Sequence, residues 1–168
     1  AAGEKVIVQN VIPQHLEAVT SKLKEIGVKM DIVGDSIIVH GGIENLKPVD
    51  IRTQVYPGFA TDLQQPLTTL LTQCQGESQV VETIYPERFG HCYQLNSMGA
   101  NIIQEEAMCF VNGPTPLHGT RVYATDLRCG AALIVAGLMA KGVTEIGNVY
   151  HIDRGYDNID HKLVSLGA

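Results

Sequence analysis

Ala60-Thr61-Asp62-Leu63 and Ala124-Thr125-Asp126-Leu127 are the same four residues, 64 positions apart. Each string opens an apolar-rich run, Leu67 to Cys74 in one case and Ala131 to Ala140 in the other. Each run stops at a glycine, Gly76 or Gly142, and a strand-like run follows, Gln79 to Tyr85 or Val143 to Tyr150. Threonine and aspartate at the head of an apolar run start helices, because their oxygens accept hydrogen bonds from the free N–H groups of the first turn. Thr61 and Gln64 even stand at the spacing of a capping box. Two identical helix starts with matching ends read as an internal repeat, the feature that decides the fold.

A second string extends the repeat. Leu23-Lys24-Glu25-Ile26-Gly27-Val28, Leu95-Asn96-Ser97-Met98-Gly99-Ala100 and Leu163-Val164-Ser165-Leu166-Gly167-Ala168 share one pattern, with glycines 72 and 68 positions apart. Each closes an amphipathic stretch, such as Leu16, Val19, Leu23 and Ile26 at helical spacing. A glycine there supplies the left-handed residue that ends a helix. Met30 to Val33 and Ser36 to Val39 flank Gly34-Asp35 and read as a hairpin; Asn101 to Glu105 with Ala107 to Val111 is its counterpart. The predicted unit is β-α-β-α-β-β, about 65 to 70 residues long, which is an α/β module. Residues 5–45 hold the second half of a unit, 49–115 a complete one, and 119–168 the first two thirds of another. Both ends fall inside a unit, so the expectation is a chain cut from a longer protein.

Composition narrows the function. The chain has 168 residues, 45% hydrophobic and 18% charged, which suits a packed core and not a disordered tail. The longest apolar run, Ala131 to Ala140, is about half a membrane span, so no membrane partner is expected. Ala1-Ala2-Gly3-Glu4-Lys5 lacks the pattern of a secretory leader, and a cytoplasmic location is expected. A net charge of -6 argues against a nucleic-acid partner, and 5% aromatics without tryptophan argue against stacking platforms. Cys74, Cys92, Cys109 and Cys129 form no CxxC pair, so free thiols are expected rather than a zinc site or a disulfide framework. His91, His118 and His151 lack the spacing of metal ligands, and His15, His40 and His161 read as surface residues. No glycine-rich dinucleotide motif, P-loop or serine-hydrolase elbow is present.

The residues left for chemistry are two carboxylates and three arginines. Asp62 and Asp126 read first as helix caps; the functional alternative is a carboxylate facing a cleft and taking a proton from a hydroxyl. Arg88 follows a strand in Tyr85-Pro86-Glu87-Arg88-Phe89, and Arg154 holds the matching place in Tyr150-His151-Ile152-Asp153-Arg154-Gly155-Tyr156. Arg128 lies in the first turn of a helix, where the dipole disfavours a cation. Three arginines in equivalent places suggest a shared anion pocket, since guanidinium forks match carboxylate and phosphate; solvated or ion-paired arginines are the plainer alternative. Cys92 and Cys129 lie beside these motifs, either as thiols of depressed pKa or as buried fillers.

These motifs resemble the enolpyruvyl transferases over essentially the whole chain. The matching stretches are Pro57 to Gln64 (PGFATDLQ), Glu82 to Phe89 (ETIYPERF), Ala124 to Arg128 (ATDLR) and Tyr150 to Tyr156 (YHIDRGY). Within the family they resemble the branch that acts on UDP-N-acetylglucosamine; the branch acting on shikimate 3-phosphate shares the architecture without these strings. The resemblance implies two lobes, each of three β-α-β-α-β-β units about a pseudo-threefold axis, an inside-out α/β barrel. This chain would be most of one lobe, without its extreme N-terminal segment and last strands.

The implied reaction moves the enolpyruvyl group of phosphoenolpyruvate to the 3-hydroxyl of UDP-N-acetylglucosamine and releases phosphate, the first committed step of peptidoglycan synthesis. It needs no cofactor and no metal. By the resemblance, Asp62 is the base at the sugar hydroxyl and binds UDP-N-acetylglucosamine, and Ile84 meets the same substrate through its backbone. Arg88, Arg128 and Arg154 neutralise phosphate and carboxylate, and Asp126 orients them or shares in proton transfer. Ala60 stands where the family often has proline. The family's reactive loop residue, its lysine-asparagine pair and the second lobe's nucleotide contacts have no counterpart here, so the second lobe is an expected partner. The rival expectations are a shikimate-type enzyme and a non-catalytic anion-binding module of the same fold.

Overall fold

The computed structural model describes residues 3–42 and 44–167. Ala168, the end of the third Leu-Gly-Ala string, lies outside the described residues, as do Ala1, Ala2 and Ile43. Strand β1 (Lys5–Val8) leads through a short 3-10 turn into helix α1 (Glu17–Ile26). Strands β2 (Met30–Val33) and β3 (Ser36–His40) follow, and β1-β3-β2 form an antiparallel sheet. Val33 pairs with Ser36 across the Gly34-Asp35 turn, the hairpin expected from those residues. Helix α1 ends at Gly27, whose N–H bonds the carbonyls of Leu23 and Lys24 in a left-handed cap.

From residue 51 to 113 the order is strand, helix, strand, helix, strand, strand. These are β4 (Ile51–Arg52), α2 (Gln64–Leu71), β5 (Gly76–Val81), α3 (Gly90–Ser97), β6 (Asn101–Glu105) and β7 (Met108–Gly113). Their sheet runs β4-β5-β7-β6, with β4 parallel to β5 and the other pairs antiparallel. A parallel pair needs a crossover, and α2 supplies it. The pattern recurs in β8 (Arg121–Tyr123), α4 (Leu127–Met139) and β9 (Glu145–Gly147), where β8 and β9 are parallel. Two short helices follow, α5 (Tyr150–Asp153) and α6 (Ile159–Ser165). Among the described residues, no helix is long and apolar enough to cross a membrane.

Helices α2 and α4 face each other across the core; α4 is apolar along most of its length, while α2 buries Gln64, Gln65, Thr68 and Thr69 beside its leucines. Leu67 and Leu71 of α2 join Cys129, Leu133 and Ala136 of α4 in one buried cluster with Phe89, Leu95 and Met98. The approach is close enough for the Thr69 hydroxyl to donate to the Ala132 carbonyl at 3.3 Å. Both helices begin after the first strand of a parallel pair, and such strand ends are where open α/β sheets form their clefts.

Two expectations from the sequence need correction. The first helix does not begin at Thr61: Thr61–Leu63 is a 3-10 turn, and no side chain caps α2 at Leu63. The capping box fails because the Thr61 hydroxyl is given to Glu82 instead. The strands are also shorter than the runs that announced them. β5 ends at Val81 and β9 at Gly147, after which Asn148 takes φ 58 and the chain turns into α5.

Gly130 marks where α5 leans on α4: a Cβ there would collide with Ile152 Cγ1. At Gly137, about two turns further along α4, the nearest atom to a Cβ is Thr144 Cβ at 3.4 Å. Gly130→Val should therefore destabilise the fold by about 1–3 kcal/mol through overpacking. Gly137→Ala should be neutral or stabilising by up to about 1 kcal/mol, because alanine favours a helix. Thermal melts of the two variants check this; equal effects would place the α4–α5 contact elsewhere.

Candidate active site

Three loops meet where α2 and α4 begin. The loop after β4 carries Tyr56 and runs into the Thr61–Leu63 turn. The loop after β5 carries Glu82, Ile84, Tyr85 and Arg88. The segment after β8 carries Asp126 and, in the first turn of α4, Arg128. Between them lies a cleft of about 360 Å³, lined by Tyr56, Thr61, Asp62, Ile84, Arg88 and Arg128 among others.

Asp62 sits at the centre of the ionic contacts. Arg128 binds it in a fork, Nε to Oδ1 at 2.8 Å and Nη2 to Oδ2 at 3.0 Å. Arg88 Nη1 reaches the same Oδ1 at 3.0 Å and the Thr61 hydroxyl at 2.9 Å. The Arg88 guanidinium also stacks on Tyr85, 4.1 Å from the ring centre, and its side chain is only 15% exposed against 56% for Asp62. The fork from Arg128, with the charge of Arg88 behind it, holds the Asp62 carboxyl below its usual pKa against the opposing effect of burial. The same fork raises the pKa of Arg128. At the cleft surface two guanidinium groups meet one carboxylate, with the Asp126 and Glu82 carboxylates behind them, so the cations line the opening although the chain is acidic.

Asp126 does what the cap reading expects: its Oδ1 accepts from the N–H of Arg128 at 2.8 Å and of Cys129 at 3.2 Å. Burial works against its ionisation, but those two N–H groups, with Gln65 and the charge of Arg88, together lower the pKa. The cap explains how a cation comes to sit in the first turn of α4. The carboxylate offsets the helix dipole that would otherwise disfavour Arg128. The two aspartates of the repeated string thus have different work, one bonded to backbone and one to arginine side chains.

Ile84 lies at the rim. Its N–H is given to Glu82 Oε1 at 2.8 Å, while its carbonyl accepts no hydrogen bond among the described residues. A ligand would therefore meet an acceptor here. Arg154 does not join Arg88 and Arg128 on Asp62: it follows α5, is exposed, and its side chain makes no hydrogen bond or ion pair among the described residues. Its neighbour Gly155 packs on Leu127 at the head of α4, so the backbone of Arg154 lies at the same end of the helix as Arg128.

Cys92 and Cys129 do not have depressed pKa values. A hydrogen bond with Cys109 and burial push the Cys92 thiol up, burial pushes Cys129 up, and burial raises Cys74 to about 11. All four are buried free thiols, small fillers of the core. Among the described residues, no cluster of histidine, cysteine and carboxylate could hold a metal ion. Burial also drives His91 down to about 3, neutral behind Asp126.

The residue that reading by motif passed over is Glu82. It is 1% exposed and accepts hydrogen bonds from Thr53, Thr61 and the N–H groups of Ile84 and Tyr85. Its signal in the sequence is an acid directly after the apolar Val80-Val81, where a strand enters the core. Tyr85, three residues before Arg88, could have been read as a cation–π partner but only once the loop was known to fold back.

A sequence profile for EPSP synthase (3-phosphoshikimate 1-carboxyvinyltransferase) matches residues 1–163. UDP-N-acetylglucosamine 1-carboxyvinyltransferase 2 of Bacillus subtilis is 54% identical over all 168 residues, and its Listeria monocytogenes counterpart 53%. The chain spans 39% and 40% of the length of these two relatives. Among solved structures, the enolpyruvyl transferase NikO from Streptomyces tendae superposes with a TM-score of 0.91 at 30% identity, over 98% of this chain and 39% of that one. EPSP synthase from Acinetobacter baumannii shares the fold at a TM-score of 0.66 and 18% identity, over 93% of this chain and 40% of that one. With its fold, its arginine-bound aspartate and a profile match over nearly its full length, the chain belongs to the EPSP synthase family of enolpyruvyl transferases.

Proposed function

We propose that this chain forms one wall of the active site of an enzyme that transfers the enolpyruvyl group of phosphoenolpyruvate to the 3-hydroxyl of UDP-N-acetylglucosamine, in the cytoplasm, for peptidoglycan synthesis. The observation that carries the reading is Asp62 held at the cleft between Arg88 and Arg128. The names of relatives at 53–54% identity support this acceptor over shikimate 3-phosphate, since the EPSP synthase structure at 18% speaks for the fold alone. Asp62 with both of its arginines present also weighs against a module that only binds anions. The opposite wall, with the remaining catalytic groups, belongs to sequence outside this chain. In this reading, residues 5–45, 49–115 and 119–168 are parts of three successive β-α-β-α-β-β units about a pseudo-threefold axis, the inside-out barrel of one lobe.

The chemistry follows from what each group can do. Phosphoenolpyruvate brings phosphate and carboxylate, and fixed guanidinium groups stabilise such charge without reorganising. Arg88 has Nε and Nη2 free of Asp62, and Arg128 has Nη1 free. Arg154, unpaired among the described residues, is the third cation available to the ligand. The Ile84 carbonyl accepts from the sugar nucleotide, and Asp126 keeps Arg128 aimed by fixing the first turn of α4.

Asp62 is ionised but a poor base while two arginines hold it. A phosphate entering the cleft competes for the same guanidinium groups and releases the carboxylate. Its pKa then rises toward the ordinary range, and it can take the proton of the 3-hydroxyl as oxygen attacks. Binding of the anion and activation of the base are thereby one event. The isolated chain leaves this wall open to water, so by itself it should not turn over.

Two outcomes are expected. In the enzyme at the length of its relatives, phosphate release from phosphoenolpyruvate should require UDP-N-acetylglucosamine, and Asp62→Asn should cut kcat by about 100- to 10,000-fold with little change in KM. Near-normal turnover in that variant would return Asp62 to a structural role. The second concerns pH. Because the folded pKa of Asp62 is lowered, its ion pairs stabilise the fold above the unfolded carboxyl pKa of about 3.9 and are lost as pH falls through the folded value. Carbon NMR of the Asp62 carboxyl should show its midpoint rise in Arg128→Gln, and again when inorganic phosphate is added to the unsubstituted protein. A midpoint indifferent to phosphate would break the link between anion and base.

A further inference from the structure

We propose that Glu82 is the positioning residue of this site, setting the Ile84 carbonyl and the Arg88 guanidinium with one buried carboxylate. The inference rests on the roles given above to Ile84 and Arg88. Glu82 is not needed to hold its own strand end, since its N–H already bonds the Ala107 carbonyl at 2.9 Å. Its side chain reaches in two other directions. Oε1 accepts from the Thr53 hydroxyl at 2.7 Å and from the N–H of Ile84 at 2.8 Å and Tyr85 at 3.1 Å. Oε2 accepts from the Thr61 hydroxyl at 2.8 Å. Four donors fill the roughly four acceptor sites of a carboxylate, which is how a buried charge is kept without a counter-ion.

The first direction fixes the loop. Ile84 and Tyr85 lie beyond the end of β5 and have no sheet partner for their N–H groups. With both turned inward onto Glu82, the Ile84 carbonyl is left for the cleft. The second direction fixes the cation. A threonine hydroxyl has one proton, and Thr61 gives it to Glu82, so only lone pairs face Arg88 Nη1 at 2.9 Å. Glu82 therefore sets the polarity of the link: it makes Thr61 an acceptor toward Arg88. Glutamine has the same shape, but its amide N–H₂ would donate to Thr61 and turn the threonine proton toward the guanidinium.

The test is steady-state kinetics of the enzyme at the length of its relatives, read beside the Arg88 side-chain N–H signals by NMR. Glu82→Gln and Thr61→Val should each lower kcat by about 10- to 100-fold and raise the KM for phosphoenolpyruvate, as expected for a misplaced binding group. Thr61→Ser, which keeps the hydroxyl, should stay within about twofold. The double variant should be no worse than the poorer single one, because both break the same link. Arg88 protons protected from exchange in the unsubstituted protein and in Thr61→Ser should lose that protection in the other two. Losses that multiply, or a lowered melting point with kcat and Arg88 protection intact, would make Glu82 structural only and overturn the proposal. Should Glu82→Gln not fold, the contrast of Thr61→Val with Thr61→Ser carries the same test. Should the enzyme show no such transfer at all, the reading of function fails while Arg88 protection still decides for or against Glu82.

Discussion

Asp62 and Arg128 are 66 residues apart in the chain and 2.8 Å apart in space, and the packing of α2 on α4 closes that distance. The two helices rise from the ends of separate parallel strand pairs and bury Leu67, Leu71, Leu133 and Ala136 between them. Their first turns are brought side by side by that contact. Without the α2–α4 contact, Asp62 would not face Arg128; its approach to the loop that carries Arg88 comes from the pairing of β4 with β5 and the bonds of Thr53 and Thr61 to Glu82.

The cleft is organised in layers of falling exposure. Asp62 is at the surface, Arg128 and Arg88 are progressively more covered, and Glu82 is buried. The order makes physical sense. An exposed carboxylate can leave its partners when another anion arrives, because water screens the loss. A buried one cannot, because stripping its donors would leave an uncompensated charge in the core. The exposed acid is thus the one able to exchange partners, and the buried acid is the one able to hold geometry.

Repetition explains why two copies of one string came to differ. In both, Thr-Asp precedes a helix of the same packed pair. Asp126 turns inward to its own backbone and caps α4. Asp62 cannot do so, because Thr61 is drawn to Glu82 and the chain takes a 3-10 turn before α2 begins. The turn carries the carboxylate out of capping range and into reach of two arginines. The segment after β9 has no equivalent of Glu82, since Asn148 in a left-handed conformation and α5 follow that strand.

The sequence by itself determined the local grammar. The repeated strings, the glycines that close helices, the hairpins and the β-α-β-α-β-β order depend on spacing and residue type within a few positions, and these were legible. Arg88, Arg128 and Arg154 group there as one anion pocket because they hold equivalent places in a repeat, and of the three the structure sets Arg88 and Arg128 on Asp62. The tertiary structure alone decided which aspartate caps and which pairs, that Arg154 does not join the other two arginines on Asp62, and that Cys92 and Cys129 are buried with raised pKa values. It also decided that an acid read only as part of a motif is the buried junction of the site. Those outcomes depend on which groups compete for one hydrogen-bonding partner across elements far apart in the chain. A hydroxyl has a single proton to give, and only the packed fold fixes who receives it.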